Sequence, residues 1–132
     1  MKKYRVGLVF GTFDPIHYGH IRLFKRASDM CDILYVCSET NEIIKQEKDR
    51  DAFTTEEERI EDIKGIKYVD NIFIRGNGIS RKDIVKEVEP DVLFLGSDWK
   101  EKDWEGKHFG IKIEYLERTP DVSSTLLRKI CL

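Results

Sequence analysis

Short apolar runs alternate along the chain with segments whose apolar residues recur at helical spacing. YRVGLVF, residues 4–10, is β-rich and stopped by Gly11, the pattern of a strand buried on both faces. Ile21, Phe24, Ala27 and Cys31 then fall on one helical face, predicting a helix that begins near His20. Residues 33–37, ILYVC, form the next buried run. A charged stretch over 42–51 reads as a solvated loop. Thr55 followed by Glu58 is a capping box opening a helix through Ile60 and Ile63, and Ser80 with Asp83 opens another that ends before Pro90. Residues 71–75, 92–95 and 111–116 supply three more strands, and SSTLLRKI closes the chain as a short helix.

Strands that alternate with helices predict an α/β fold, with a five-stranded parallel sheet and helices on both faces. Such sheets bind ligands at the carboxyl ends of their strands. GTFDPIHYGH follows the first strand, GSDW the fourth and RTPDVSST the fifth. All three segments therefore converge on one edge.

Composition narrows the field. With 132 residues, residues 1–132 read as one domain with a single sizeable core. A net charge of −2 excludes a broad electrostatic grip on nucleic acid, so any anion site is local. No apolar run approaches a membrane span of about 18 residues, and no cleavage site for a signal peptide follows the first apolar stretch. Cys31, Cys37 and Cys131 show no zinc-ligand spacing; Cys31 and Cys37 read as buried thiols of a cytoplasmic protein.

His17 and His20 stand where the first strand turns into a helix. Free backbone N–H groups and the helix dipole make such a turn an anion site, to which both imidazoles can add donors. The alternative is that one histidine caps the helix and the other packs. As a zinc pair HxxH lacks a third ligand. Ser123, Ser124 and Thr125 have the same double reading, as helix caps or as a second anion cradle beside Arg118. Trp99 and Trp104 can cover core or a bound base.

GTFDPIHYGH resembles the HxGH motif of the nucleotidyltransferase superfamily in its GxFDxxHxGH setting. RTPDVSST resembles the RTxGISTT motif of the cytidylyltransferases, and GSDW and TTEEERIEDIKGIKYVD resemble segments of the glycerol-3-phosphate cytidylyltransferase family. The resemblance covers essentially the whole chain. It implies a Rossmann-like three-layer sandwich that transfers a cytidylyl group from CTP to a small alcohol phosphate, with Mg2+ as the triphosphate's counterion and a homodimeric assembly. It implies catalytic roles for His17, His20, Lys45, Lys48 and Arg118, the lysines reaching over the phosphates from a mobile loop. It implies nucleotide binding by Gly11, Thr12, Phe13, Asp14, Gly19, Arg59, Ser123, Ser124 and Thr125. Asp14 would sit beside the metal-bound triphosphate and Arg59 would approach the nucleotide from the next helix. Pro15 and Ile16 replace leucines of the usual motif, and Asp121 stands where RTxGISTT has glycine. Two other readings share these residues: an adenylyltransferase using ATP on a sugar phosphate or flavin nucleotide, and a nucleotide-binding module without turnover.

Overall fold

The computed structural model describes residues 2–117 and 124–130. Among them a five-stranded, wholly parallel sheet has the order β3-β2-β1-β4-β5, formed by β1 (Tyr4–Phe10), β2 (Cys31–Glu39), β3 (Asn71–Arg75), β4 (Val92–Gly96) and β5 (Lys112–Leu116). Five helices accompany it: α1 (Tyr18–Met30), α2 (Asn41–Lys48), α3 (Glu56–Lys64), α4 (Arg81–Val88) and α5 (Ser124–Ile130). This is a Rossmann-like α/β fold.

The period-2 alternation of the strands divides the apolar interior into two layers. Val9, Val36, Val92 and Phe94 face one side and pack with Phe24 and Ala27 of α1 and Ile63 of α3. Their neighbours Leu8, Cys37 and Leu93 face the other side and meet Ile84 of α4. The central strand β1 is paired on both edges, so near-continuous apolar character is what its position demands. Cys31 and Cys37 are buried and free, and burial pushes their thiols up to about 11 and about 12.

Both anticipated capping boxes form, with Thr55 and Ser80 as N-caps. The segment 42–51 corrects the expectation of a loop: most of it is α2. Thr40 caps that helix through Ile43 N, and Ile43 and Ile44 are buried. Two adjacent isoleucines in an otherwise charged stretch give too short a pattern to show a period, although together they anchor two turns. Two smaller corrections concern boundaries. The first helix begins at Tyr18, with His17 as its cap, and Cys31 starts β2 rather than continuing the helix.

Sheet order reverses between β1 and β4. Loops diverge from their carboxyl ends there and leave a crevice, the place where this architecture holds ligands. A single 3₁₀ turn, Ser97–Trp99, follows β4 at that point.

Candidate active site

The turn after β1 is shaped by its own packing. Phe13 adopts a left-handed backbone, φ 56°, a conformation that costs a non-glycine residue about 1 kcal/mol or more. Its ring is buried, edge-on to Phe24 at 5.3 Å and to His20 at 5.0 Å. A Cβ on Gly11 would lie 2.4 Å from that ring, so glycine is required where the chain leaves the strand.

His17 and His20 cap α1 reciprocally. His17 Nδ1 accepts from Gly19 N at 3.0 Å, and His20 Nδ1 accepts from His17 N at 3.2 Å. The rings stack with centroids 3.8 Å apart. With Nδ1 accepting in each ring, the neutral tautomer carries its proton on Nε2. Burial, and next the charge of His17, press the His20 pKa down to about 3. His20 at neutral pH is therefore an uncharged hydrogen-bond donor rather than a cation. The two alternatives read from the sequence merge: both histidines cap the helix through Nδ1 and both line the crevice.

That crevice is a cleft of about 660 Å³. Gly11, Thr12, Phe13, Asp14, His17, Gly19 and His20 line its floor, with Gly96, Asp98 and Trp99 after β4. Lys48 from the end of α2, Arg50 just beyond it, and Ser124, Thr125 and Arg128 of α5 complete the wall around the histidines. Arg128 donates to the backbone oxygen of Asp14 and to Thr125 Oγ1, and Ser124 Oγ donates to Pro15 O. Burial and then the nearby Arg50 charge hold the Arg128 pKa below the usual arginine value. Two guanidiniums, one of them paired with Asp14, beside a helix N-terminus and two imidazoles, can offset the charge of an anion.

Not every expected residue reaches the cleft. Lys45 lies a turn before Lys48, and its Nζ is 3.6 Å from Asp51. Arg59 is fully buried, donating to Thr54 O, Glu39 O and Asn41 Oδ1. It braces the loops beneath the cleft. Asp14 contributes to the lining, but its carboxylate is spent. Oδ1 accepts from Thr54 N and Thr54 Oγ1, and Oδ2 from Arg50 Nη1 and Phe53 N, all within 2.6–2.8 Å. Arg118 and Ser123, with Asp121, lie outside the described residues. Arg50 and Arg128 escaped the sequence reading. The spacing S-S-T-x-x-R puts Thr125 and Arg128 on one helical face, and that signal was available. Arg50 had none beyond its proximity to Lys48. Trp104 packs partly into the α4-side layer and donates to Tyr115 Oη, while Trp99 stands exposed at the cleft mouth.

The profile of the family described as cytidylyltransferase-like matches residues 8–130. The FAD synthase of Thermococcus kodakarensis is 38% identical over 97 residues, covering 74% of this chain and 64% of its own length. The chain thus spans less than two thirds of that relative. The glycerol-3-phosphate cytidylyltransferase of Staphylococcus aureus is 32% identical over 122 residues, covering 92% of this chain and 91% of its own. In fold, the lipopolysaccharide core biosynthesis protein from Thermoplasma volcanium superposes with a TM-score of 0.70, at 24% identity, over 88% of this chain and 97% of its own. On these likenesses the chain belongs to the cytidylyltransferase-like family.

Proposed function

We propose that this protein transfers a cytidylyl group from CTP to a small alcohol phosphate such as glycerol 3-phosphate. One observation carries the reading: His17 and His20 at the start of α1, and Lys48, Arg50 and Arg128, line one cleft at the sheet's switch point. The near end-to-end likeness to a glycerol-3-phosphate cytidylyltransferase supports the choice of nucleotide.

In this reaction a phosphate oxygen of the acceptor forms a bond to the α-phosphorus of CTP. The bond from that phosphorus to the β-phosphate bridging oxygen breaks, and pyrophosphate leaves with the electron pair. An ionised phosphate ester, whose second pKa is about 6, needs no base to remove a proton. The work left to the protein is to bring two polyanions together and to stabilise charge developing on phosphoryl oxygens. Arg50, Arg128 and Lys48 offset the repulsion, while the neutral His20 imidazole donates to the transferring group beside His17. Mg2+, if bound with the triphosphate, would supply charge neutralisation at the phosphates. Among the described residues no three His, Cys, Asp or Glu side chains cluster to hold an ion, and the Asp14 carboxylate is already saturated, so no step is routed through a protein-held metal.

Likeness to the FAD synthases favours a second reading, adenylyl transfer from ATP to a flavin nucleotide. Pyrophosphate release separates the two. With glycerol 3-phosphate, CTP is expected to outperform ATP by at least about tenfold, or about 1.4 kcal/mol. Preference for ATP with flavin mononucleotide replaces the first reading by the second.

A further inference from the structure

Residues 97–110, between β4 and β5, contain one 3₁₀ turn and otherwise run without helix or strand. Stretches of this length in a compact domain usually serve function. This one lines the cleft with Asp98, Trp99, Asp103, Trp104 and Glu105, so whatever fixes its path also fixes the shape of the cleft mouth. Its second half is anchored. Trp104 packs with the α4-side layer and donates to Tyr115 Oη of β5 at 3.3 Å, and Glu105 accepts from Arg81 at 3.0 Å. Gly106 has φ 112°, and a Cβ there would lie 2.8 Å from the Trp104 ring, so the backbone turns tightly around the indole. Lys107 N donates to Trp104 O at 3.1 Å, which secures the root of the Lys107 side chain.

The first half, which carries Trp99, folds on itself: Lys100 N donates to Ser97 O and Lys102 N to Trp99 O, each at 3.1 Å. Lys107 joins the two halves. Its Nζ donates to Lys100 O at 3.1 Å and to Lys102 O at 2.8 Å. An ammonium is a compact charge with three donors on a long stem, suited to gathering carbonyls that no helix or strand engages. Such charge-assisted bonds are roughly twice as strong as neutral ones. Lys102 carries the constraint onward, because its own Nζ stands 5.0 Å from the centre of the Trp99 ring. By contrast, the contact of His108 with Asp103 at 3.6 Å lies between side chains 82% and 90% exposed, where an ion pair contributes little.

We propose that Lys107 is a positioning residue: without lining the cleft itself, it holds Trp99 at the cleft mouth and so presets the protein for its nucleotide. This rests on the transferase reading above. The groups that meet phosphate in that reading, His17, His20, Lys48, Arg50 and Arg128, lie on other elements and keep their places without the tie. Binding and turnover therefore separate. When the tie is lost, the nucleotide has to order the segment as it binds, and apparent affinity falls with the fraction of molecules already in place. The chemical step is left as it was.

Both tryptophans of the chain lie on this segment, so their emission reports on it directly. In Lys107→Met, acrylamide quenching of that emission in the nucleotide-free protein should rise. The KM for CTP in pyrophosphate release should increase about tenfold, with kcat held within about twofold. Should Lys107→Met not fold, Lys107→Gln, which keeps a polar end without the charge, is read in the same way. Unchanged quenching overturns the tie. Raised quenching with KM unchanged, or a loss confined to kcat, overturns its role in nucleotide binding and leaves the transferase reading standing. If the unaltered protein releases no pyrophosphate from CTP, the transferase reading falls by itself. Calorimetric titration of CTP then replaces KM, and weaker binding with raised quenching in the variant upholds Lys107, while equal binding overturns it.

Discussion

Replacing Asp14 by Asn tests whether this residue of the motif serves the fold or the nucleotide. Its carboxylate accepts four hydrogen bonds, and the buried Arg59 Nη1 lies 3.8 Å from Oδ1. An amide keeps the shape but brings two hydrogens of its own. Turned toward Thr54 it can donate to the hydroxyl, yet it leaves Thr54 N without an acceptor. Turned the other way it faces Arg50 and Phe53 N, both donors. An orphaned buried N–H costs about 1–3 kcal/mol, and taking the charge from a buried pair raises the total to about 3–5 kcal/mol. With a urea slope of about 2 kcal/mol per M, the unfolding midpoint falls by roughly 2 M. A midpoint shift under about 0.5 M together with lost turnover would refute this account and return Asp14 to the nucleotide. Burial alone would raise the Asp14 pKa, but hydrogen bonds from Thr54 and Arg50 and from the Phe53 and Thr54 amides hold it below the ordinary 3.8. Its stabilisation is accordingly present above 3.8 and lost as pH falls through the lower folded value; acid titration of the variant should lack that component.

His20→Ala should lower kcat by roughly 10² to 10³ and cost only about 1 kcal/mol of stability through the lost cap, read by steady-state turnover and urea unfolding. Because the folded His20 pKa of about 3 lies below the ordinary 6.5, the unfolded chain binds a proton between those values that the folded chain refuses. Stability therefore drops as pH falls through that window, by up to about 2 kcal/mol between pH 6.5 and 5, and less in the alanine variant. Arg50→Met should reduce kcat/KM for CTP by about a hundredfold through a lost charge-assisted contact; unchanged kinetics would remove Arg50 from the triphosphate.

The sheet, its parallel pairing and the common edge of the motifs were legible because burial on both faces writes apolar runs directly into the chain. Thr55 and Ser80 announced their helices through side chains that act within one turn. Asp14 and Arg59 were legible only as residue types. Their partners lie at Arg50, Phe53, Thr54 and Asn41, and no local rule links a turn after β1 to a loop nearly forty residues on. Glu39 and Arg81 were silent for the same reason: each is an ordinary charge at the end of an element until the fold brings the end of β2 beside the start of α4.

Ser124 and Arg128 reach back across 109 and 114 residues to the backbone of Pro15 and Asp14. Contacts of such separation have no local nucleus and form late. The sheet can pair β1 with β2 and β4 before α5 exists, but the histidine turn then lacks its final clamp and one of its cations. The cleft is therefore completed by α5 clasping the turn after β1. A variant whose α5 cannot dock would hold most of the fold without the assembled charge, so loss of turnover with the sheet intact would report on this clasp rather than on the core.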